Sequence, residues 1–514
     1  MAVMPANTLC AIYDFEFMPY ALGDVLTWNV QTAIECEKAG CEKVDVYICH
    51  DVRYPSSIYQ RDLVTAENCG LFFSELFGAF GTHPKLGNLL VYRSREEMLT
   101  RLQEEIKSKA SNTDAVSTYL NVLAKRQDEA AVIEYFTRTI HTHERINAFA
   151  AEYGRIPFLL PSTGCEPDIR GLITTRFAGK RIVTVHTRLR RLDAGYGGKH
   201  SYARDSDVLD WYQFLREAEG KHPDVMFVLL GRLQEKPIEF LRLPNVLSLR
   251  TLGLGLGHEL TLVTKCDLFM GTSSGFAAMA NFTQIPYFIT RMTPASCKAY
   301  QIPLGAERLP FAAPRQALVY EPESPAMLMR LLEEGIAGSP SQHNGPGPGV
   351  DATIDARSWE WERAQWLAPD ATTYRFYVDD RYSDKEMAFL LSPKIREAHN
   401  ALQRGQKDVA DQILQRIETY FPRLSTRFEE FLRLKERLAR ERNDIATVNA
   451  CRTNLANLCP SAKGLPRVIF TMRRYLRWAY PAAMKLKDIW RRKHRIPRRL
   501  VQILKQAATR ANPL

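Results

Sequence analysis

The sequence predicts an α/β protein in which two parallel-sheet domains face a cleft and an all-helical C-terminal appendage follows. The first observation is a series of short apolar runs and helical stretches that begins at residue 9. The second is a similar series that begins at residue 181. The third is a Pro- and Gly-rich stretch at 339–350, which separates both series from a helical region. Strands that alternate with helices form parallel sheets, because a parallel pair needs a long crossover connection.

The first series indicates a strand, a glycine turn, a helix and a second strand. Residues 9–15 and 44–49 are the apolar runs, and a helical pattern between them reaches about residue 38. Gly23 and Asp24 lie at the start of this helix. Ligands of open α/β sheets bind in the crevice at the carboxyl ends of the strands. Asp24 is therefore expected either to cap its helix or to project into the cleft.

The second series contains the stretch with the clearest functional signal, 265–289. An apolar run at 268–270 breaks into a small, hydroxyl-rich turn at 272–275, and a helical segment and another apolar run follow. The start of a helix offers free backbone N–H groups and a favourable dipole to anions. The earlier apolar runs of this series predict strands at 181–186, 225–230 and 245–249.

A basic segment follows the first strand of the second series. His186 and Arg188 end that strand, and Arg190, Arg191 and Lys199 lie in or before a glycine-rich loop. Arginine and lysine side chains bind diphosphates through charge-assisted hydrogen bonds and neutralise a departing anion. The segment therefore predicts the diphosphate site of a nucleotide-sugar.

Two other nucleotide signatures and one metal signature fail. A P-loop needs Ser or Thr after its lysine, but His200 follows Lys199. The dinucleotide fingerprint needs a third glycine where this chain has His258. Asp205 and Asp207 match the letters of a DxD motif, but they open a helix, where capping explains them better. Charge stabilisation by arginine is therefore favoured over a metal site, and no cofactor is expected.

Residues 181–289 resemble the nucleotide-binding half of GT-B glycosyltransferases, in particular fucosyltransferases of the nodulation and α-1,6 type. Those enzymes carry His-x-Arg-Arg-x-Asp at a strand end and a later Asp-(apolar)-x-x-x-Thr-x-Ser-Ser segment. The matching residues here are His186, Arg188, Arg190, Arg191, Asp193, Asp267, Thr272, Ser273 and Ser274. Gly275 replaces the second Ser, and Gly231-Arg232 stands where the family places acidic residues. The resemblance implies two Rossmann-like domains and a GDP-linked donor, with fucose as a candidate sugar.

The turn at Gly23 and Asp24 is similar to the Gly-Asp-Val turn of heptosyltransferases, another GT-B group. This resemblance implies that Asp24 is the general base for the acceptor hydroxyl, while the arginines of the second domain stabilise the departing nucleoside diphosphate. Asp14, Glu16 and Asp51 lie at nearby strand ends and are rival bases. The predicted catalytic residues are Asp24 and Arg188. The predicted substrate-binding residues are Gly23, His186, Arg190, Arg191, Lys199, Asp267, Thr272, Ser273, Ser274 and Gly275.

The predicted domain organisation follows from these assignments. Residues 395–421 resemble a single tetratricopeptide-type unit, which cannot sustain a solenoid alone. The predicted divisions are an N-terminal acceptor domain at 1–160, a nucleotide-sugar domain at 161–336, a linker at 337–356, an aromatic segment packed on the body at 357–391, a helical appendage at 392–462 and a basic tail at 463–514.

The charge distribution and the cysteine pattern limit which cellular compartment and which partners the sequence predicts. Residues 467–510 carry 14 Lys/Arg and one acidic residue, so they account for more than the whole net charge of +11. The ten cysteines show no C-x-x-C pair, which favours a reducing compartment. The N-terminus has no signal-peptide pattern, and no apolar window is long enough for a membrane span. These features predict a cytoplasmic protein.

The basic tail predicts attachment to an anionic membrane surface. Apolar residues recur in it at helical spacing, and Trp478, Tyr480 and Trp490 lie among its arginines. Basic helices with aromatic residues bind the membrane interface, here the inner face. Nucleic acid is the rival polyanion, and a solvated helix without a partner is the third interpretation.

The function predicted from the sequence is transfer of a sugar from a nucleoside-diphosphate donor to a glycan or glycolipid acceptor, without a metal. The expected partners are the nucleotide-sugar, the acceptor and the membrane surface. The alternative is a non-catalytic adaptor in which a degenerate nucleotide-binding core carries helical and basic interaction modules.

Overall fold

The structure is a computed structural model of the chain. It describes residues 8–56, 60, 63–107, 111–112, 114–140, 143–188, 204–232, 236–237, 239–337, 353–354 and 380–458. The predictions for Arg190, Arg191, Lys199 and the basic tail fall outside these residues, as do most of the predicted linker and aromatic segment.

The first sheet is parallel, and its strand order is β4-β1-β2-β3-β11. Its strands are largely buried, as in parallel sheets covered on both faces. The helices and strands of this part are β1 (Thr8–Asp14), α1 (Leu22–Lys38), β2 (Lys43–Cys49), α2 (Cys69–Ser74), α3 (Phe77–Phe80), β3 (Leu86–Tyr92), α4 (Arg95–Lys107), β4 (Ser111–Asn112), α5 (Asp114–Ala124), α6 (Glu129–Ile140), α7 (His143–Tyr153) and, much later in the chain, β11 (Thr353–Ile354).

The second sheet is also parallel, and its strand order is β10-β9-β8-β5-β6-β7. Its central strands are fully buried apolar runs, which explains why they stood out in the sequence. The helices and strands are α8 (Glu166–Thr174), β5 (Arg181–His186), α9 (Val208–Lys221), β6 (Val225–Leu229), β7 (Val246–Leu247), α10 (Leu256–Val263), β8 (Leu268–Thr272), α11 (Gly275–Asn281), β9 (Tyr287–Thr290), α12 (Pro294–Ala299), β10 (Gln316–Leu318) and α13 (Pro325–Ile336).

The two parallel sheets with their covering helices, followed by helices, confirm the predicted α/β fold class. Strand β11 lies inside the predicted linker and pairs with Asn88 and Leu89 of the first sheet, so part of that linker belongs to the sheet.

The C-terminal region is helical in its described part. It contains α14 (Asp380–Gln403), α15 (Lys407–Tyr420), α16 (Pro422–Arg427), α17 (Glu429–Glu441) and α18 (Ile445–Leu458). The chain divides into two compact units, 1–424 and 425–514, and the division falls within the predicted 392–462 appendage. In the first unit, α14 and α15 form a hairpin joined at Gly405. In the second, α17 and α18 pack together.

Candidate functional site

The second sheet reverses its strand order between β5 and β8. The chain runs from β5 outward through β6 and β7 on one side and from β8 through β9 and β10 on the other. His186 at the end of β5 is in register with Gly271 of β8. A Cβ atom at Gly271 would lie 2.6 Å from the carbonyl oxygen of His186, so only glycine allows this approach. Ligands of open α/β sheets bind at such a reversal, on the carboxyl side of the strands.

His186 is a buried, neutral group at this reversal. Its ring lies 4.9 Å from the ring of Phe276, and its Nδ1 atom has no hydrogen-bond partner among the described residues. Burial, together with repulsion by Lys236 and Arg188, lowers the pKa of His186 to about 3. A neutral imidazole can offer a ligand one hydrogen-bond donor and one acceptor.

The turn after β8 provides fewer free hydroxyls than the sequence indicates. Ser274 is the N-cap of α11, and its hydroxyl accepts a hydrogen bond of 3.3 Å from the backbone N–H of Ala277. The hydroxyl of Ser273 lies 3.3 Å from the hydroxyl of Tyr300. Thr272 is fully buried, and its hydroxyl has no partner in the part of the chain that the structure describes. Two of the three hydroxyls of this turn are therefore already engaged within the protein.

Arg188 is held by the segment that precedes α9. Its backbone N–H donates to the hydroxyl of Ser206 at 3.0 Å, and its carbonyl accepts from the N–H of Ser206 at 2.8 Å. Its guanidinium lies 3.8 Å from the carboxylate of Asp205. Asp207 caps α9 by accepting from two backbone N–H groups, as predicted. Both carboxylates of the Asp205–Asp207 pair are thus engaged within the protein.

The structure places Asp267 away from the other predicted site residues. Its carboxylate accepts the backbone N–H of Ile182 at 2.7 Å, at the amino end of β5. His186 and Thr272 lie at the carboxyl ends of β5 and β8, which is the opposite edge of the sheet. Asp267 therefore aligns two strands, and the structure does not bring it to the carboxyl edge.

Gly23 and Asp24, in the first α/β half, lie next to the turn that follows β8. An ideal Cβ atom at Gly23 would lie 3.6 Å from the Cα atom of Gly275, so the first turns of α1 and α11 are in contact. Asp24 occupies the first turn of α1 and is partly exposed. Although part of the residue is exposed, its carboxyl group is surrounded by enough protein that desolvation raises the pKa of Asp24 to about 7.

Each of the three rival carboxylates pairs with an arginine. Asp14 pairs with the buried guanidinium of Arg95 at 2.9 Å and also accepts the hydroxyl of Tyr119 at 2.7 Å. Glu16 lies 2.6 Å from Arg95, although burial still raises its pKa. Asp51 accepts two hydrogen bonds from the Arg53 side chain, which lower its pKa to about 2.

Asp24 is the exception within this set. It forms no ion pair with a lysine or arginine of the described residues, and burial raises its pKa to about 7. A general base is most effective when its pKa lies near the working pH.

The sequence interpretation missed a second group of polar residues at the same edge of the second sheet. Arg291 follows β9 directly, and its guanidinium lies 3.8 Å from the buried carboxylate of Glu323. Glu323 also accepts the hydroxyl of Thr290 at 2.7 Å and the backbone N–H of Asp207 at 2.9 Å. The position of Arg291 immediately after an apolar run was a usable signal. Nothing local to Glu323 indicated its role.

A buried charge cluster lies beside β6. Glu259 accepts two hydrogen bonds of 3.1 Å from Arg250 and the backbone N–H of Gly231 at 3.0 Å, and Lys236 lies 4.0 Å from it. Arg232, which stands where the fucosyltransferases place an acidic residue, lies 3.4 Å from Glu75. Glu75 follows α2, so this ion pair links the two α/β halves.

The described residues contain no group of three or more His, Cys, Asp or Glu side chains arranged to hold a metal ion. None of their helices is both long and apolar enough to cross a membrane.

The similarity of this chain to known proteins is weak and is limited to structure. No known family model and no curated protein matches the sequence. A Listeria monocytogenes protein assigned as a UDP-N-acetylglucosamine 2-epimerase is 12% identical, covers 64% of this chain and 88% of its own, and has a TM-score of 0.31. A family 9 glycosyl transferase from Veillonella parvula is 10% identical, covers 65% and 99%, and also has a TM-score of 0.31. Anabaena HepE, solved with UDP and glucose, is 11% identical, covers 75% and 99%, and has a TM-score of 0.24.

Proposed function

We propose that this protein is a glycosyltransferase that moves a sugar from a nucleoside-diphosphate donor to a hydroxyl group of a glycan or glycolipid. One observation carries the proposal: Asp24, a carboxylate whose pKa is raised to about 7, lies where α1 packs against the start of α11. A proton acceptor of the first domain thereby lies next to the start of the helix that follows β8 in the second. A cleft between two α/β domains is a common place for such chemistry.

The proposed reaction uses the two sides of the cleft differently. The carboxylate of Asp24 takes the proton of the acceptor hydroxyl, and the acceptor oxygen forms a bond to the anomeric carbon. The bond between that carbon and the donor's β-phosphate oxygen breaks, and the nucleoside diphosphate leaves with the electron pair. Arg188 stabilises the charge on this leaving group, as preorganised cations do where charge develops.

The donor is proposed from the sequence motif. His186 and Arg188 carry the resemblance to fucosyltransferases, so GDP-fucose is the first donor to test. Arg232 stands where the fucosyltransferases place an acidic residue, and it pairs with Glu75 of the other half of the protein. Because this position departs from the fucosyltransferase pattern, UDP- and ADP-linked sugars are tested in the same panel.

Calorimetric titration of the full chain with GDP, UDP, ADP and CMP tests the nucleotide site. We expect one nucleotide to bind and the Arg188→Ala variant to lose that binding. Arg181→Ala is the matched control, because Arg181 begins the same strand at its other end and pairs with Asp224. Absence of binding to every nucleotide would refute the transferase proposal and favour the non-catalytic adaptor.

The membrane surface is proposed as the place where the acceptor is met. Deletion of 467–514 is expected to release the protein from liposomes that contain anionic lipid, while nucleotide affinity is unchanged. Co-sedimentation with anionic and neutral liposomes measures the effect. Equal sedimentation of the full and shortened chains would contradict attachment through the tail.

A further inference from the structure

Three consecutive residues connect Arg188 to the C-terminal helical hairpin. Asp205 lies beside the Arg188 guanidinium, and Ser206 makes two hydrogen bonds with the Arg188 backbone. Asp207 faces the other way, and its carboxylate lies 2.8 Å from the ammonium group of Lys394 in α14. The segment 205–207 is therefore held on one side by the predicted diphosphate-binding arginine and on the other by the hairpin.

The hairpin side of this connection is a group of buried and half-buried charges, which the more exposed Glu397 joins at 3.1 Å from Lys394. Lys394 lies between Asp207 and Asp210, at 2.8 and 3.6 Å. Arg416 of α15 donates to Asp210 at 2.5 Å and to the side chain of Gln213 at 2.9 Å. The Lys394, Asp207 and Asp210 side chains are each less than one-fifth exposed, so the two carboxylates depend on the two cations for compensation.

The burial of this group explains why it can hold a backbone segment in place. Although burial alone would lower the pKa of Lys394, Asp207 and Asp210 raise it above its usual value, so the side chain stays charged. The backbone N–H of Asp207 donates to the buried carboxylate of Glu323, which adds a third support. Loss of Lys394 would leave two neighbouring carboxylates with one cation and favour movement of Asp207.

Aromatic packing anchors the same hairpin to α9. The ring of Tyr212 lies 4.7 Å from the ring of Phe421 and 6.1 Å from that of Tyr420, at the end of α15. The hairpin thus has a contact with the nucleotide half that does not involve the charged group. Removal of one charge is therefore expected to shift the 205–207 segment without detaching the hairpin.

We propose that Lys394 and Arg416 are positioning residues for Arg188: they fix the 205–207 segment, and through it they fix the guanidinium that faces the nucleoside diphosphate. The inference rests on the proposed function for its ligand, but the link from the hairpin to Arg188 rests on the hydrogen bonds above. It gives the hairpin a role in nucleotide binding at a distance from the ligand.

Lys394→Met in the full chain tests the proposal. We expect roughly a tenfold loss of affinity for the nucleotide that the wild type binds, since small displacements of a binding group are costly. Lys394→Arg keeps the charge and is expected to restore affinity to within about threefold. Arg396→Met is the matched control, because Arg396 is an exposed cation two residues away on the same helix. A double-mutant cycle separates positioning from a general structural effect: in an Arg188→Ala background, measured at millimolar ligand, Lys394→Met should cost little further affinity.

Hydrogen–deuterium exchange provides a readout that does not need a nucleotide. Peptides containing Ser206 and Asp207 should exchange faster in Lys394→Met than in the wild type, and Arg396→Met should leave them unchanged. If the wild type binds a nucleotide and Lys394→Met binds it equally well, the positioning proposal is overturned while the proposed function stands. If no nucleotide binds, the proposed function fails, and exchange alone decides: faster exchange supports the link, and unchanged exchange overturns it. Should Lys394→Met not fold, Arg416→Lys and Lys394→Gln are measured in the same two ways.

Discussion

Gly275 touches the first turn of α1 so closely that no side chain fits between them. An ideal Cβ atom at Gly275 would lie 2.8 Å from Cβ of Leu22 and 3.1 Å from the backbone nitrogen of Gly23. Real Cβ atoms do not approach other atoms at the shorter of these distances without displacement. The absence of a side chain at Gly275 is thus what brings Asp24 to the turn after β8.

Substitution of Gly275 by Ala is expected to destabilise the protein by about 1–3 kcal/mol, the usual cost of overpacking. Gly23→Ala is the matched control on the facing helix, since its added Cβ atom would meet its neighbours at 3.6 and 3.8 Å, ordinary contact distances. Urea unfolding of both variants measures the difference. Equal stabilities would show that the two helices can separate freely.

Asp24→Asn is expected to reduce sugar transfer by about 10²–10⁴-fold, the typical contribution of a positioned general base. Wild-type activity should rise with pH up to about 7 and then level, because the carboxylate must be ionised to accept a proton. Asp128→Asn is the control, since Asp128 only caps the exposed start of α6. Transfer of sugar by Asp24→Asn at the wild-type rate would assign the base to another group.

The same substitution should change how stability depends on pH. The pKa of Asp24 is raised in the folded state, so its contribution to stability is full below about pH 3.8 and is lost as pH rises through about 7. Asp24→Asn should therefore be more stable than the wild type at pH 8 and similar to it at pH 4. Thermal unfolding at both pH values checks the sign. A gain of the same size at pH 4 would contradict it.

The buried histidines are expected to give stability the opposite dependence on pH, with a loss in acid. The pKa of His186 is lowered in the folded state to about 3, so its contribution to stability is full above about pH 6.5 and falls as pH drops towards 3. His83, which is buried and pairs with Thr32, behaves in the same way. His186→Gln should lose less stability between pH 7 and pH 4.5 than the wild type. His399→Gln, on the partly exposed surface of α14, is the control, and an unchanged slope for His186→Gln would contradict a buried neutral imidazole.

Glu259→Ala is expected to cost about 3–5 kcal/mol of stability, because it leaves the buried cations Arg250 and Lys236 without their carboxylate. Glu321→Ala removes an exposed carboxylate that pairs with the exposed Arg330 and should cost less than about 1 kcal/mol. Denaturant unfolding compares the two. Similar losses would mean that Glu259 does not compensate the buried pair.

The long buried strands could be predicted from the sequence nearly to the residue. The apolar runs at 9–15 and 44–49 correspond to β1 and β2, and the run at 287–289 corresponds to β9. Strands of two residues, such as β4 and β11, have too few positions for a pattern, and the strand predicted at 245–249 is only the two residues of β7. The break between the short helices α2 and α3 is also hidden in the sequence, because apolar residues continue through it.

By itself, the sequence determined that two parallel sheets would form and that His186, Arg188 and the 272–275 turn would follow their strands, because apolar runs and strand-end residues are local features. It predicted Asp24 as the base and named Asp14, Glu16 and Asp51 as rivals. Only the tertiary structure distinguishes the surroundings of these four carboxylates. Arg95 neutralises Asp14 from 81 positions along the chain, and no cation of the described residues does the same for Asp24.

The tertiary structure likewise turned Asp267 towards the backbone of β5 and placed Arg416 against Asp210, 206 positions away in sequence. The protonation and orientation of a side chain depend on the groups packed around it. Chain folding, not local sequence, brings those groups together.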